Sequence, residues 1–378
     1  MKRLTIHRRA DAAHSPTCGR KALLLAGAAL LVSSACATDD SAAPTSDTDT
    51  PTALSGPCVG IGPAPELAEV TWLAEGRLMA ATAGGPARCL LEVGQAETLE
   101  WAGSADRVLL GSTRAVTAEG EVSLALPSDG RVRWSAPTGK SVLHVDAQGR
   151  LRKQVLGGAV SELAAMERAD DAVYHPAGLT IAASGEGEIA GGEVVRGLFV
   201  ARNTGEGAPQ PLAEGETARR IDSLAFSSDG ALVFVADHGG HSDLHRLDLQ
   251  RGTMATVATV SGQEHIGRVA VSPFETDAVA FARCEPDGTT RPTFAERGGS
   301  ALALEGTSVA RAEPIGWLPD GGLVLVARPR CDDGPGSLYV FQGGMAHLVA
   351  EDVETAAVRA VLPEPPPSPE ILPTSPFA

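Results

Sequence analysis

The chain has 378 residues and a formal net charge of −16, with 4% aromatic residues, 43 glycines and 26 prolines. Such an acidic chain repels nucleic acid and anionic lipid headgroups, so we expect no nucleic-acid partner. Because aromatic residues are few, the core must consist of Ala, Val, Leu and Ile. The many glycines and prolines favour short strands joined by tight turns.

The N-terminus predicts export from the cytoplasm. Residues 1–21 carry six basic side chains, and residues 22–32 form an uncharged apolar run, ALLLAGAALLV, followed by small residues at 33–36. A basic region, a short apolar region and small residues at the cleavage point are typical of a secretory signal peptide. The apolar run is shorter than the roughly 20 residues that cross a bilayer. We therefore predict a signal peptide over residues 1–36.

Two cleavage points are open. The sequence Ser33-Ser34-Ala35-Cys36 resembles a bacterial lipobox, in which the cysteine carries the lipid and becomes the first mature residue. This resemblance implies lipid attachment at Cys36, and the non-aspartate Ala37 after it implies the outer membrane. Cleavage after Ala37 is the alternative, and it would discard Cys36 and yield a soluble secreted or periplasmic protein. Residues 37–57 consist mainly of Ala, Thr, Ser, Asp and Pro, which predicts a disordered tether.

A strand–turn–strand phrase recurs along the body of the chain. Copies of decreasing clarity lie at 224–237, 317–326 and 269–281. Their anchor residues Phe226, Val271 and Trp317 are 45 and 46 residues apart. A fixed period of this length is typical of repeat folds, in which each repeat is one supersecondary unit.

The clearest repeat predicts four antiparallel strands. They cover residues 221–226, 231–236, 243–249 and 253–260. Four such strands in about 45 residues form one blade of a β-propeller. The stretch FSSDGALVFVAD followed by SDLHRLDL resembles the repeat of TolB-like propellers, the WD40-like PD40 class. The match is close at 221–252, fair at 314–348 and loose at 267–306, and it implies an all-β propeller of four-stranded blades.

The number of blades follows from the anchors. Anchors near 72, 117, 174, 226, 271 and 317 predict six blades, which is also the TolB-like number. A further strand pair at 141–145 and 149–155 leaves seven blades as the alternative. A ring also needs a strand from each terminus in one blade, which 353–362 or 60–72 would supply. We place the propeller at 58–362 and a Pro-rich disordered tail at 363–378.

Four cysteines remain after Cys36, and an even number in an exported chain suggests disulfides. Cys284 and Cys331 both follow the second strand of neighbouring repeats, which would place them side by side. We therefore predict the pair Cys284–Cys331 and, by elimination, the pair Cys58–Cys89. A metal site is disfavoured because no two cysteines have C-x-x-C spacing.

Motifs for chemistry are absent from the sequence. It contains no G-x-S-x-G nucleophile elbow, no H-E-x-x-H and no phosphate-binding loop, so we predict no catalytic residue and no cofactor. The segment GEGEIA at 185–190 is interpreted as a turn. The densest polar cluster lies at 237–245. His238, His241 and Asp243 are its weak candidates for metal ligands, although a solvated hairpin between two strands accounts for the cluster.

The favoured function is a lipid-anchored, monomeric cell-envelope propeller that binds a protein or glycan partner without catalysis. The alternative is an envelope hydrolase or lactonase of the propeller type with a divalent cation in the central channel. The side chains that line the channel distinguish these hypotheses. A convergent polar cluster would favour an enzyme, and an apolar lining would favour binding.

Overall fold

The computed structural model describes residues 57–364 apart from gaps at 97, 135–137, 164–165, 190–191, 205–208, 214–217, 276–277, 296–301, 304–310 and 332–333. The predicted signal peptide, Cys36, nearly all of the tether and most of the tail lie outside the described residues. The described residues form 28 β-strands in seven four-stranded antiparallel sheets. A search of these residues finds no helix of the length and apolarity that a membrane span requires.

The first four sheets, or blades, follow one another along the chain. Blade 1 contains β1 (Glu69–Ala74), β2 (Arg77–Thr82) and β3 (Arg88–Glu92). Blade 2 contains β4 (Leu99–Trp101), β5 (Arg107–Leu110), β6 (Arg114–Thr117) and β7 (Gly120–Ser123). Blade 3 contains β8 (Arg131–Trp134), β9 (Ser141–Val145), β10 (Leu151–Val155) and β11 (Val160–Glu162). Blade 4 contains β12 (Arg168–Tyr174), β13 (Thr180–Glu188), β14 (Val194–Arg202) and β15 (Gln210–Ala213).

The remaining blades complete a ring. Blade 5 contains β16 (Arg220–Phe226), β17 (Leu232–Asp237), β18 (His241–Asp248) and β19 (Thr253–Ser261). Blade 6 contains β20 (His265–Val271), β21 (Val279–Cys284), β22 (Thr290–Ala295) and β23 (Leu302–Ala303). Blade 7 contains β24 (Ala312–Trp317), β25 (Leu323–Ala327), β26 (Gly336–Gln342) and β27 (Met345–Val353). The last strand, β28 (Thr355–Arg359), pairs with β1 and becomes the inner strand of blade 1.

The prediction of six blades is wrong, and the seven-bladed alternative is confirmed. The strand pair at 141–155 belongs to blade 3, a complete four-stranded sheet. Two anchors were also misplaced. Trp72 lies on the second strand of blade 1, and Thr117 ends the third strand of blade 2. The inner strands of blades 2 and 3 instead end at Trp101 and Trp134, which are only 33 residues apart, so these short blades do not fit a period of 45 residues.

Hydrophobic side chains fill the spaces between neighbouring blades. Among the described residues, each of seven hydrophobic clusters joins two consecutive blades. Strand β17 shows the pattern, because Val233 and Val235 pack toward blade 6 while Phe234 and Ala236 pack toward blade 4. Both faces of this strand are therefore buried, which explains its nearly continuous apolar sequence. Burying a single Val or Phe side chain contributes about 1.5–3 kcal/mol.

Tryptophan side chains connect consecutive blades. Trp101, Trp134 and Trp317 each end the inner strand of their blade. Their indole N–H groups donate to Thr71 Oγ1 at 2.7 Å, to the Glu100 carbonyl at 3.0 Å and to the Ala270 carbonyl at 3.1 Å. Each acceptor belongs to the preceding blade. The buried indole ring therefore adds apolar packing between the two blades, and its N–H group fixes their spacing through a hydrogen bond.

Both disulfide predictions are confirmed. Cys58 is bonded to Cys89 on β3, which fixes the segment before β1 to blade 1. Cys284 ends β21 and is bonded to Cys331, which follows β25, so this bond joins blades 6 and 7. The Cys331 backbone N–H also donates to the Gly288 carbonyl at 2.9 Å. The repeat therefore predicted the neighbouring positions of these two cysteines correctly.

One local interpretation fails. The segment at 185–190 was expected to be a turn, but Gly185 to Glu188 continue β13 and pair with β14. Gly185 has a φ of +138° beside a register shift between β12 and β13. A Cβ at this position would lie 2.0 Å from the Arg168 carbonyl, so the glycine permits a close approach of two strands rather than a reversal of the chain.

Candidate binding site in the central channel

The inner strands of the propeller surround a central channel with a cavity of about 610 Å³. Part of the channel lining is apolar. This part lies on blades 6, 7 and 1 and includes Val271, Phe274, Ile315, Trp317 and Val358. A mostly apolar concave surface with a few polar groups is typical of a ligand site.

The channel also carries a charged cluster, defined by Glu100, Arg131, Arg133, Asp171 and Arg268. These residues come from the inner strands of blades 2, 3, 4 and 6. Arg133 Nη1 lies 3.8 Å from Glu100 Oε2, and Arg131 Nη1 lies 3.3 Å from Asp171 Oδ2. With three arginines and two carboxylates, the cluster has a net charge of about +1 when all five groups are ionised.

Backbone irregularity positions two members of the charged cluster. Asp171 lies where the register of β12 shifts, and Arg268 lies in the bulge of β20 between the paired residues Ile266 and Val269. A β-bulge redirects side chains that a regular strand would place on its two faces. Asp171 is 1% exposed and accepts hydrogen bonds from the backbone N–H groups of Ala172 and Leu224 at 2.9 and 3.1 Å. The buried Asp171 therefore holds Arg131 in place.

Glu100 has an altered acidity. Desolvation by the surrounding protein raises its pKa above the ordinary value near 4.5, although Arg133, the Trp134 N–H and Arg268 oppose the rise. The side chain still has 32% of its surface accessible, because it faces the open channel rather than a closed core. Glu100 is therefore a reachable carboxyl group that binds a proton more readily than a surface glutamate.

A second cavity of about 470 Å³ adjoins the channel and shares Gly130 and Arg131 with it. Its lining carries five arginines, which we call the arginine rim: Arg131, Arg168, Arg196, Arg219 and Arg220. Some of these charges are balanced, since Arg196 pairs with Asp170 and Glu186, and Arg220 pairs with Asp222 at 3.1 Å. The rim nevertheless places a concentration of positive charge beside the channel of an acidic protein.

Glycine is required at the junction of the two cavities. Gly130 has a φ of +108°, and a Cβ there would lie 2.1 Å from the Val145 carbonyl. The backbone of β8 therefore begins in direct contact with the β9–β10 loop, which positions Arg131 between channel and rim.

The residues that the sequence suggested as a site lie elsewhere. His238, His241 and Asp243 come together with His245 on blade 5, away from the channel lining. In the described part of the chain, two groups of three residues have metal-binding spacing: His238, Asp243 and His245, and His265 with the disulfide-bonded Cys284 and Cys331. Neither group lines the channel. Sequence reasoning missed Glu100, Arg133 and Arg268.

A sequence signal for two of the missed residues does exist. Glu100 and Arg133 each directly precede the tryptophan that ends an inner strand. Because side chains alternate along a strand, the tryptophan enters the interblade core and its predecessor faces the channel. The equivalent positions in blades 5 and 7 are Ala225 and Gly316, which also line the channel, whereas Ala270 of blade 6 lies in the interblade core. A charged residue at this position therefore marks the channel lining.

Comparison with known proteins shows the fold. No protein-family model matches the chain, and no curated protein matches it in sequence. Among solved structures, the tricorn protease matches with a TM-score of 0.52 and 11% identity over 80% of this chain and 36% of that chain. An oligogalacturonate lyase in complex with manganese gives 0.49 and 13%, over 76% of this chain and 83% of that one.

TolB from Acinetobacter baumannii also matches, with a TM-score of 0.42 and 14% identity over 78% of this chain and 66% of that chain. This chain spans about a third of the tricorn protease chain. At these identities the likeness concerns the fold alone. The protein is a seven-bladed, all-β propeller, and its fold resembles that of the tricorn protease.

Proposed function

We propose that this protein is a non-enzymatic, extracytoplasmic binding propeller that takes an acidic and apolar segment of a protein partner into its central channel. One observation carries the proposal. Three arginines and an apolar surface line the same channel, in a chain whose net charge is −16. The charged cluster is therefore a region of positive charge in an acidic chain.

Arginine favours a carboxylate ligand for a geometric reason. Its planar guanidinium offers paired N–H donors that match the two oxygens of a carboxylate. Arg133 lies 3.8 Å from Glu100, beyond direct hydrogen-bond distance, and its side chain is 38% exposed. A ligand carboxylate can therefore approach Arg133 without breaking a close pair. The arginine rim beside the channel would raise the rate at which an acidic segment arrives.

An extended polypeptide fits a lining that is both charged and apolar better than a glycan does. Successive side chains of an extended chain point in opposite directions. A segment that alternates acidic and apolar residues would thus face the charged cluster and the apolar surface at once. A glycan partner remains an outcome of the test below.

The location of the protein is part of the proposal. Two disulfides are typical of an extracytoplasmic protein. We place it at the outer membrane, anchored as a monomer through a lipid on Cys36. Membrane fractionation tests the anchor, since wild type should sediment with membranes and Cys36→Ala should not. Equal sedimentation of the two proteins contradicts the anchor, whether or not the channel binds a ligand.

A peptide selection tests the binding function. The purified propeller is immobilised and exposed to a library of peptides with alternating acidic and apolar residues, and to a matched library with lysine in place of the acidic residues. We expect retention of the acidic library only, and loss of retention in Arg133→Glu. The exposed turn variant Arg251→Glu makes the same charge change outside the channel and should retain the library. Equal retention of both libraries contradicts the proposal, as does retention of acidic oligosaccharides alone.

A second function rests on Glu100, because the channel has both features named above, an apolar surface that favours binding and a convergent charged cluster that favours an enzyme. The raised pKa of Glu100 and its accessible position suit a general acid or base, which is the feature expected of an envelope hydrolase or lactonase. A screen with chromogenic esters and lactones decides between the two functions. Turnover by wild type that disappears in Glu100→Gln would support the enzyme, whereas peptide binding without turnover in either protein supports the binding module.

A further inference from the structure

Three histidines and one aspartate converge at one end of blade 5. His241, Asp243 and His245 alternate along β18 and therefore share one face of the strand, while His238 lies in the turn before it. The Nε2 atoms of His238, His241 and His245 lie 3.6, 3.5 and 3.9 Å from Asp243 Oδ2. Three ring nitrogens thus surround a single carboxylate oxygen.

Neighbouring groups hold these side chains in that orientation. Thr259 on β19 donates to Asp243 Oδ1 at 2.6 Å, which leaves Oδ2 directed at the histidines. Thr256 Oγ1 lies 3.2 Å from Nδ1 of His245, so the Nε2 atom of the same ring is the one that faces Asp243. The His238 backbone N–H donates to the His241 carbonyl at 3.0 Å and closes the turn. Outer hydrogen bonds of this kind orient the ligands of known metal sites.

The separations match those around a bound ion. Two ligand atoms at about 2.1 Å from a tetrahedral ion are about 3.4 Å apart. The three nitrogen–oxygen distances are 3.5 to 3.9 Å, and the ligand atoms of His238, Asp243 and His245 all lie within 4.8 Å of one another. A small inward movement of the side chains would therefore complete a coordination sphere.

We infer that His238, Asp243 and His245 bind one divalent transition-metal ion, with Zn²⁺ as the best-fitting class. Imidazole nitrogens with one carboxylate suit Zn²⁺, Ni²⁺ or Cu²⁺, whereas Ca²⁺ and Mg²⁺ need mostly oxygen ligands. His245 is buried and His238 is largely buried, while His241 is 43% exposed at the outer side of the group. His241 or a water molecule would take the fourth position.

The metal site would connect two elements of blade 5, and an arginine lies beside it. The ion would connect the β17–β18 turn, which carries His238, to the body of β18. Arg219 of the arginine rim lies beside this turn, since a Cβ on Gly239 would approach its guanidinium to 2.7 Å. The inference does not rest on the proposed function, because none of its ligands lines the channel.

Titration with ZnCl₂ tests the inference. Tag-free protein is dialysed against EDTA, freed of chelator and titrated by calorimetry, with the bound metal counted by mass spectrometry. We expect saturation at one Zn²⁺ per chain, a higher melting temperature with Zn²⁺, and tetrahedral absorption bands with Co²⁺. Loss of an outer hydrogen bond alone costs 10–100-fold in metal affinity, so we expect a loss of at least about tenfold in Asp243→Asn.

Two further variants supply a second change of a ligand and a control histidine outside the site. His238→Ala changes a turn residue that belongs to none of the described interblade clusters, so it should fold even if Asp243→Asn does not, and it should lose at least about tenfold in affinity. His347→Ala removes a histidine on blade 7 and should bind Zn²⁺ as wild type does. Absence of stoichiometric Zn²⁺ from wild type overturns the inference, and so does equal affinity in His238→Ala, His347→Ala and wild type.

Discussion

Two arginines on inner strands show how one residue type takes two roles in this propeller. Arg359 on β28 is 1% exposed, pairs with Glu69 at 3.2 Å, donates to the carbonyls of Ala105, Gly62 and Pro63, and lies 4.6 Å from the centroid of the Trp101 ring. Arg133 on β8 is 38% exposed, and its carboxylate neighbour is 3.8 Å away. Full burial and complete pairing make Arg359 structural, whereas partial pairing in an open channel leaves Arg133 available to a ligand.

The role of Arg359 follows from the ends of the chain. Its strand comes from the C-terminal end of the propeller, and Glu69 opens the first strand after the N-terminal segment. The buried pair therefore closes the ring in a single blade. A buried ion pair adds little net free energy compared with apolar packing, but removal of one partner leaves the other charge buried and uncompensated.

The largest expected effect of a single substitution is the loss of Arg359. We predict that Arg359→Met lowers the free energy of unfolding by about 3 kcal/mol, because three backbone carbonyls lose their donor and Glu69 keeps only its pair with Arg88. Urea denaturation measures the change. Arg251→Met, which removes the exposed pair with Asp248, should cost at most about 1 kcal/mol. Similar losses in the two variants would show that Arg359 does not close the ring.

Removal of the Cys58–Cys89 disulfide should destabilise blade 1, where the ring closes, without changing the channel lining. Cys58 and Cys89 enclose a loop of 31 residues, so the double variant Cys58→Ala/Cys89→Ala should lose about 3–4 kcal/mol of stability on the chain-entropy account. At temperatures where the variant is folded, we expect its peptide binding to equal that of wild type. Reduced binding by the folded variant would mean that closure and channel are coupled.

The smallest effect concerns the proton on Glu100. The folded protein raises the pKa of the Glu100 carboxyl, so the contribution of this group to the free energy of unfolding is most favourable at a pH below its ordinary pKa near 4.5. That contribution is lost as the pH rises through the raised pKa. Glu100→Gln removes this dependence. We therefore expect the variant to gain stability relative to wild type as the pH rises above about 4.5, measured by urea denaturation across the pH range. A constant difference between the two proteins would show that the channel does not perturb Glu100.

The sequence predicted the parts of the fold that local patterns encode. The four strands of blade 5 fall within two residues of their predicted bounds, since the Ser228-Asp229-Gly230 turn and the apolar β17 leave little choice. The pair Cys284–Cys331 followed from matching positions in neighbouring repeats. The number of blades failed because blades 2 and 3 are short, and because the Glu119-Gly120 turn between β6 and β7 resembles the turn of a repeat anchor.

The candidate site was harder to predict for a physical reason. Glu100, Arg133 and Arg268 come from three blades, so no local motif contains them, and the ring alone brings them together. The orientation of Arg268 further depends on a bulge in β20 that no sequence pattern predicts. The histidine cluster was visible in the sequence, but its convergence on one oxygen of Asp243 required the orientation that Thr256 and Thr259 provide.

Direct titration of the channel tests the central claim most sharply. An acidic peptide recovered from the selection is titrated by calorimetry into wild type, into Arg133→Gln/Arg268→Gln and into Arg251→Gln. We predict that the double variant binds at least about tenfold more weakly, because each charge-assisted hydrogen bond contributes about 1.5–3 kcal/mol, whereas Arg251→Gln binds as wild type does. Affinity that is unchanged in the double variant would contradict the assignment of the channel as the binding site.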